Sequence, residues 1–174
     1  MIHDLFKTLA YQYDIKDWGN KKSKLNSLIN ANKFTRNPLQ NFSSDRNEDK
    51  VSYVNEFCEI FKDELDQFKQ ELGVTGFDVT DAWTVKYDKG DFHVPHNHSG
   101  NGFSGIVYLD FDPSEHTTTY FVSPINDPVT DQTQIMESPG AEGMMLIVPS
   151  CIMHYTIPNK SDIQRSIVSF DIKF

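Results

Sequence analysis

The chain is poor in cysteine and in long apolar runs, and each shortage excludes a class of protein. Its 174 residues include two cysteines, Cys58 and Cys151, too few for the disulfide framework of a small secreted domain. Residues 1–15 lack the basic segment and apolar run of a secretory signal. No run of the sequence approaches the roughly 20 apolar residues that span a bilayer. We therefore expect a cytoplasmic protein with no membrane segment.

Basic residues are also scarce, with 16 Lys and Arg against 25 Asp and Glu and a net charge of −9. An acidic surface repels phosphate backbones, so binding to nucleic acid is disfavoured. The hydrophobic fraction of 38% and the aromatic fraction of 13% are sufficient for a core. The length favours a single domain over residues 1–174.

The chain changes character near Gly73. Before it, apolar residues recur every three or four positions and predict one amphipathic helix that ends at Gly73. This stripe consists of Val54, Phe57, Phe61, Leu65, Phe68 and Leu72. Residues 23–33 predict a shorter helix and residues 8–15 an edge strand. We therefore interpret residues 1–75 as a supporting helical region.

After Gly73 the apolar residues alternate, as they do in half-buried strands. The predicted strands are 81–87, 104–111, 117–122, 133–138, 144–149 and 165–174. Many short strands without helices between them indicate an all-β sandwich or barrel. The core is thus expected over residues 76–174, with the N-terminal helices packed on one outer face.

Three of the six histidines lie in the segment HVPHNHSG (93–100). On an extended strand His96 and His98 share a face, so both imidazoles can reach one metal ion. His93 has the opposite parity and is expected to point elsewhere or to assist a ligand. These residues alone are equally compatible with a polar loop.

A third histidine favours the metal site. His154 follows an apolar strand in PSCIMHYTIP, where a lone histidine is usually a satisfied core residue. If it pairs with the earlier His-x-His across two antiparallel strands, it becomes the third ligand.

Arg165 is the first residue of an apolar strand, and ten residues, 155–164, separate it from His154. A buried guanidinium needs an anion, and its planar fork matches a carboxylate. That carboxylate belongs either to a bound ligand, which we favour, or to Asp162 or Asp171 of the chain.

These motifs resemble those of Fe(II)/2-oxoglutarate-dependent oxygenases, in particular small bacterial and phage members with prolyl-4-hydroxylase-like topology. The first matching stretch is HNHSGNGFSGIVYL and the second is GMMLIVPSCIMHYTIP followed by RSIVSF. The resemblance covers roughly residues 80–174.

The resemblance implies a mostly β fold, a double-stranded β-helix (a jelly-roll or cupin-like barrel). It also implies Fe(II) held by His96, His98 and His154, with 2-oxoglutarate and O2 as cosubstrates. Arg165, with Tyr108 as a second donor, would bind the far carboxylate of 2-oxoglutarate. The reaction would be hydroxylation of a small-molecule or peptide substrate. If a phage encodes the protein, its location would be the host cytoplasm.

One position departs from the pattern. The family usually has Asp or Glu where this chain has His98, and three neutral imidazoles leave the charge of the metal uncompensated. Asp88 or Asp91 is a candidate hydrogen-bond partner of a ligand imidazole. Halogenation, which needs this ligand position vacant, is disfavoured because His98 fills it.

Two other functions stay open. The first is a cupin-type metal protein, whose opening motif fits the segment GDFHVPHNH. This chain lacks the glutamate that a cupin has after the His-x-His, and a cupin would not need Arg165. A non-catalytic jelly-roll binding module would hold at most a structural zinc, which usually has four ligands.

The substrate pocket is the least determined part. Candidate lining residues are Trp83, Phe92, Phe103 and Phe121, and residues 110–128 are a candidate mouth.

Overall fold

The computed structural model describes residues 8–37 and 41–174. Residues 1–7, within the segment predicted to lack a secretory signal, lie outside this description. The described ranges contain the helices α1 (Trp18–Ile29), α2 (Val54–Ile60) and α3 (Lys62–Leu72). The strands are β1 (Tyr11–Asp14), β2 (Thr35–Asn37), β3 (Phe42–Ser44), β4 (Asp78–Tyr87), β5 (His93–His96), β6 (Phe103–Asp110), β7 (Tyr120–Asn126), β8 (Thr133–Glu137), β9 (Met144–Pro149), β10 (His154–Thr156) and β11 (Arg165–Lys173). None of the described helices combines the length and the hydrophobicity that crossing a membrane requires.

The strands form two antiparallel sheets. The larger sheet has seven strands in the order β1-β9-β6-β11-β4-β3-β2, and the smaller has four in the order β5-β10-β7-β8. Phe121 of the small sheet packs with Leu146 and Val148 of the large one, so the two sheets bury apolar side chains against each other. The predicted mostly β jelly-roll fold is confirmed.

Strand β11 lies at the centre of the large sheet, and its side chains alternate between two surroundings. Val168 and Phe170 pack with Phe57 and Phe61 of the helical region. Ile167, on the opposite face, belongs to a separate cluster inside the jelly roll. The helices therefore cover the outer face of the large sheet, as the sequence predicts.

The predicted helix over 54–72 is two helices. Phe61 has φ −105° and ψ 23°, which interrupts the helix between α2 and α3. The Phe61 amide still donates to the carbonyl of Phe57, and the Leu65 amide donates to the carbonyl of Phe61. The apolar stripe therefore continues across the break. Gly73 ends α3 in the left-handed region, at φ 74°, as expected.

The N-terminal region contributes strands as well as helices. Strand β1, the predicted edge strand, pairs with β9 at one edge of the large sheet. The short strands β2 and β3, which the sequence did not predict, continue the sheet beyond β4. The prediction that residues 1–174 form a single domain, with residues 1–75 as its support, remains untested.

We expect deletion of residues 1–75 to cause aggregation. Phe57, Phe61 and Phe68 are fully buried, and each contributes about 1.5–3 kcal/mol by burial. Their loss would expose the apolar outer face of β11. Size-exclusion chromatography of fragment 76–174 against the full chain measures the effect. A monodisperse fragment that binds metal would contradict the prediction.

Candidate active site

The antiparallel pairing of β5 with β10 places His96 opposite His154. His98 follows the end of β5, and its backbone amide donates a 2.9 Å hydrogen bond to the carbonyl of Ser150. One nitrogen from each of the three rings lies within 4.8 Å of the other two. The structure thus brings together the three histidines that the sequence singles out.

The hydrogen bonds of the three rings fix which nitrogen can bind a metal. Nδ1 of His96 lies 2.9 Å from the carbonyl oxygen of Val94, and Nδ1 of His154 lies 3.0 Å from that of Ile152. A carbonyl oxygen only accepts, so each Nδ1 carries the proton. The lone pair of each Nε2 is therefore available as a ligand.

His98 differs from the other two in the acceptor that it uses. Its Nδ1 lies 2.6 Å from Oδ1 of Asp171. By itself, burial would raise the pKa of the Asp171 carboxyl group. The hydrogen bond from His98, with contributions from Ser104 and Arg46, nevertheless holds that pKa below its ordinary value. His98 therefore donates Nδ1–H to a carboxylate.

The hydrogen-bonded carboxylate is thus neither of the two that the sequence suggests. Asp91 accepts two hydrogen bonds from the Arg36 guanidinium, at 2.6 and 2.9 Å. Asp88 accepts a hydrogen bond from Gln164. Both carboxylates are engaged away from the imidazoles, because β5 carries the histidines towards β10 and the end of β11.

Of the two alternatives expected for His93, its ring does not point elsewhere but lies beside a candidate ligand. Its ring stacks on that of His96, with centroids 3.8 Å apart and planes 18° apart. In the β5–β10 register, His93 to His96 spans three positions while Thr156 to His154 spans two. This irregularity inserts one extra residue into β5, which is the effect of a β-bulge and reverses the strand parity.

Burial keeps these imidazoles neutral. It lowers the pKa of His154 to about 4, with a further contribution from His96. It lowers the pKa of His93 to about 2, aided by the neighbouring His96 and His154. The pKa of His96 is also lowered, mainly by burial. Neutral imidazole is the form that binds a metal.

Arg165 lies inside the jelly roll and is 2% exposed. Its Nε and Nη2 have no hydrogen-bond partner among the described residues. Its guanidinium carbon lies 4.9 Å from the ring centre of Tyr87. Asp162 instead pairs with Lys89 at 2.9 Å, and Asp171 accepts from His98. Asp162 and Asp171, the two carboxylates of the chain that the sequence suggests as partners, therefore do not neutralise Arg165.

The expected second donor, Tyr108, is fully buried, and its hydroxyl lies 3.0 Å from that of Ser138. Its role towards a ligand remains a prediction. Thr119, which the sequence did not single out, lines a cavity together with His154. Its buried hydroxyl has no partner among the described residues.

Two cavities meet at the histidines. A wide one of about 570 Å³ is lined by Trp83, His93, His96 and His98 and, from the N-terminal region, by Thr35, Arg36, Phe42, Ser44 and Arg46. A narrow one of about 30 Å³ shares these four residues and extends to His154. A ligand that enters the narrow cavity must therefore displace lining side chains.

The cavities correct the expected lining. Trp83 and Phe121 line the narrow cavity. Phe103 instead packs against the helical region, with its ring centre 5.2 Å from that of Phe68. Within the described part of the chain, no residue of 110–128 lines the wide cavity. Apart from the histidines, its wall includes Thr35 and Arg36 of β2, Phe42 and Ser44 of β3, and Arg46.

The site fits iron and 2-oxoglutarate in two respects. Imidazole nitrogens are suitable ligands for iron, and three of them have lone pairs available. The buried guanidinium of Arg165, two of whose nitrogens have no partner among the described residues, suits a carboxylate, which it can bind through two hydrogen bonds.

Sequence comparison agrees with this chemistry. Residues 81–171 match the family described as "Putative 2OG-Fe(II) oxygenase". This match covers more than half of the chain and includes all three histidines and Arg165. The chain therefore belongs to the 2-oxoglutarate- and Fe(II)-dependent oxygenase family.

Solved structures of the family share the fold at low sequence identity. The chain is similar to a 2OG-Fe(II) oxygenase family oxidoreductase from Burkholderia pseudomallei (10% identity, 94% of this chain and 84% of that one, TM-score 0.70). It is also similar to a prolyl-4-hydroxylase from Pseudomonas putida (11% identity, 95% of this chain and 92% of that one, TM-score 0.64). A third similar structure is the epimerase SnoN in complex with Fe³⁺, alpha-ketoglutarate and nogalamycin RO (13% identity, 94% of this chain and 78% of that one, TM-score 0.69). No curated protein matches the chain in sequence.

The family membership confirms the expected cofactor set of Fe(II), 2-oxoglutarate and O2. It leaves the reaction open, because hydroxylases and an epimerase share this fold. That His96, His98 and His154 are the ligands, and that Arg165 binds the cosubstrate, remain predictions.

Proposed function

We propose that this oxygenase is a hydroxylase that couples the decarboxylation of 2-oxoglutarate to C–H oxidation of a small-molecule or peptide substrate. The observation that carries the proposal is the convergence of three imidazoles beside a wide cavity, with a buried arginine in the same jelly roll, two of whose nitrogens have no hydrogen-bond partner among the described residues. Neither a cupin nor a structural zinc site gives Arg165 a purpose.

The residues of the chain have distinct roles in this proposal. His96, His98 and His154 would hold Fe(II) through Nε2, while their Nδ1–H groups stay fixed by the chain. Arg165 would hold the far carboxylate of 2-oxoglutarate, with Thr119 or Tyr108 as a further donor. When bound, the iron and 2-oxoglutarate supply the oxidising power for the substrate, and 2-oxoglutarate leaves as succinate and carbon dioxide.

The wide cavity would receive the substrate. One wall is layered, with the Arg46 guanidinium 3.9 Å from the ring centre of Trp83 and the Trp83 ring stacked 5.6 Å from that of His98. This wall is suited to orienting a substrate beside the metal. A volume of about 570 Å³ suits a small molecule or one side chain of a peptide. The net charge of −9 continues to disfavour nucleic acid.

A cytoplasmic location remains part of the proposal. It is supported by the two cysteines, Cys58 and Cys151, which are both unpaired.

We expect hydroxylation to show itself as the transfer of one oxygen atom. Candidate substrates would be incubated with the enzyme, Fe(II), 2-oxoglutarate and ¹⁸O-labelled dioxygen. Mass spectrometry should find a product that carries one labelled oxygen, and succinate should form in equal amount. A product of unchanged mass, or one that has lost two hydrogens, would show that this enzyme catalyses another reaction of the family. Absence of succinate formation with every candidate would argue against the oxygenase reaction itself.

A further inference from the structure

Asp171 stands out because it lies behind His98, one of the three candidate ligands. A 2-His-1-carboxylate triad would have a carboxylate in place of one of these three imidazoles. The carboxylate of Asp171 accepts the Nδ1–H of His98 at 2.6 Å. A negative charge is thus present at the site, one hydrogen bond farther from the metal than a carboxylate ligand would be.

The other two histidines provide an internal comparison. His96 and His154 each donate Nδ1–H to a neutral backbone carbonyl two residues earlier in the chain. His98 donates instead to a side chain 73 positions away. A carboxylate acceptor makes an imidazole a more basic ligand than a neutral acceptor does. Only at His98, therefore, does the chain place an anion behind an imidazole of the triad.

The surroundings hold Asp171 and His98 in this arrangement. Oδ1 of Asp171 also accepts a hydrogen bond from Ser104 at 3.1 Å. Ser104 lies 3.0 Å from the hydroxyl of Ser150, and the carbonyl of Ser150 accepts the backbone amide of His98. The side chains of His98 and Asp171 are 11% and 14% exposed, so their interaction is only weakly screened by water.

We propose that Asp171 is a positioning residue that supplies, through His98, the negative charge that a carboxylate ligand would place on the metal. The inference rests on the proposed function in one respect, since it takes His98 to be a ligand. Asp171 has two roles in it. It fixes the His98 ring with Nε2 towards the metal, and it increases the electron donation of that nitrogen.

The test measures the affinity for Co(II) alone, without 2-oxoglutarate, by competition with a chelator. The variant Asp171→Asn keeps the shape of the side chain and removes its charge. We expect its Co(II) affinity to be about 10- to 100-fold lower than that of the wild type, the usual cost of losing such a partner. The visible spectrum of bound Co(II) reports whether the ligand set has changed.

Asp81 offers a matched control. It is the register partner of Asp171 on β4, and it also contacts Arg46, at 3.0 Å. Asp81→Asn therefore removes one negative charge next to the same arginine without touching a histidine. We expect its Co(II) affinity to stay close to the wild-type value. An equal loss in the two variants would overturn the proposal in favour of a general charge effect.

A second measurement separates the relayed charge from a structural role. His98→Asp places a carboxylate directly at the ligand position, where Asp171 becomes a neighbouring like charge. Adding Asp171→Asn to His98→Asp should then leave Co(II) affinity unchanged or increase it, because like charges disfavour each other's ionised form. The same loss in both backgrounds would show that Asp171 only supports the fold.

The remaining outcomes are also decisive. Wild-type affinity in Asp171→Asn would overturn the role of Asp171 while leaving the metal site intact. Retention of Co(II) by His98→Ala, with loss in Asp171→Asn, would make Asp171 a ligand itself and overturn the relay. Failure of the wild type to bind one Co(II) per chain would refute the histidine site of the proposed function and this inference with it.

Discussion

Replacing His154 with alanine should abolish stoichiometric metal binding. His154 pairs directly with His96 across the β5–β10 ladder, and its Nδ1–H is already committed to the Ile152 carbonyl. Its Nε2 is therefore the group that faces the other two imidazoles. Removal of one of three ligands should cost more than the about 10- to 100-fold that the loss of a ligand's hydrogen-bond partner costs. The metal content of purified protein after anaerobic loading with Fe(II) gives the result.

His93 supplies the control for this experiment. It stacks on His96 and shares both cavities with the triad, but His93 is not a member of the group whose ring nitrogens converge. His93→Gln should therefore still bind one metal ion per chain. One ion bound by His154→Ala, and none by His93→Gln, would show that the metal is held by a different set of histidines.

Much of the jelly roll could be predicted because its longest strands are rich in apolar residues and are bounded by turn residues. In β6, β9 and β11 nearly every residue is buried, so both faces of these strands are covered. Strands β4, β6, β9 and β11 each place apolar residues on the core, and their predicted and observed bounds differ by only a few residues. Strands β2, β3 and β10 have three residues each, too few for a period of two to be recognised. Their pairing depends on contacts that are distant in sequence.

The site shows the same division between local and distant information. The spacing of His96 and His98 and the position of Arg165 could be read from local patterns. The position of His93 could not, because the irregularity in β5 that reverses its parity is defined only by pairing with β10. The hydrogen bond from His98 to Asp171 joins residues 73 positions apart. The sequence suggests Asp171 only as a possible partner of Arg165, and no local pattern indicates its contact with His98.

Replacement of Arg165 should weaken 2-oxoglutarate binding without loss of the metal. Its guanidinium is buried beside Tyr87 and Phe111, and two of its nitrogens have no partner among the described residues. Loss of a charged hydrogen-bond partner costs roughly 2–5 kcal/mol, which corresponds to about thirtyfold to several thousandfold in affinity. Calorimetric titration of 2-oxoglutarate into the anaerobic Fe(II) protein compares the wild type with Arg165→Met.

Two further measurements distinguish recognition of 2-oxoglutarate from a structural role for Arg165. Arg165→Lys keeps the charge but loses the planar fork, so its affinity should lie between those of the wild type and Arg165→Met. Without 2-oxoglutarate, Arg165→Met should not lower the melting temperature, because it removes a buried charge that has no partner carboxylate among the described residues. A structural arginine would show the reverse, with a lower melting temperature and unchanged affinity. Equal affinities in all three proteins, with the fold intact, would place the far carboxylate of 2-oxoglutarate elsewhere in the jelly roll.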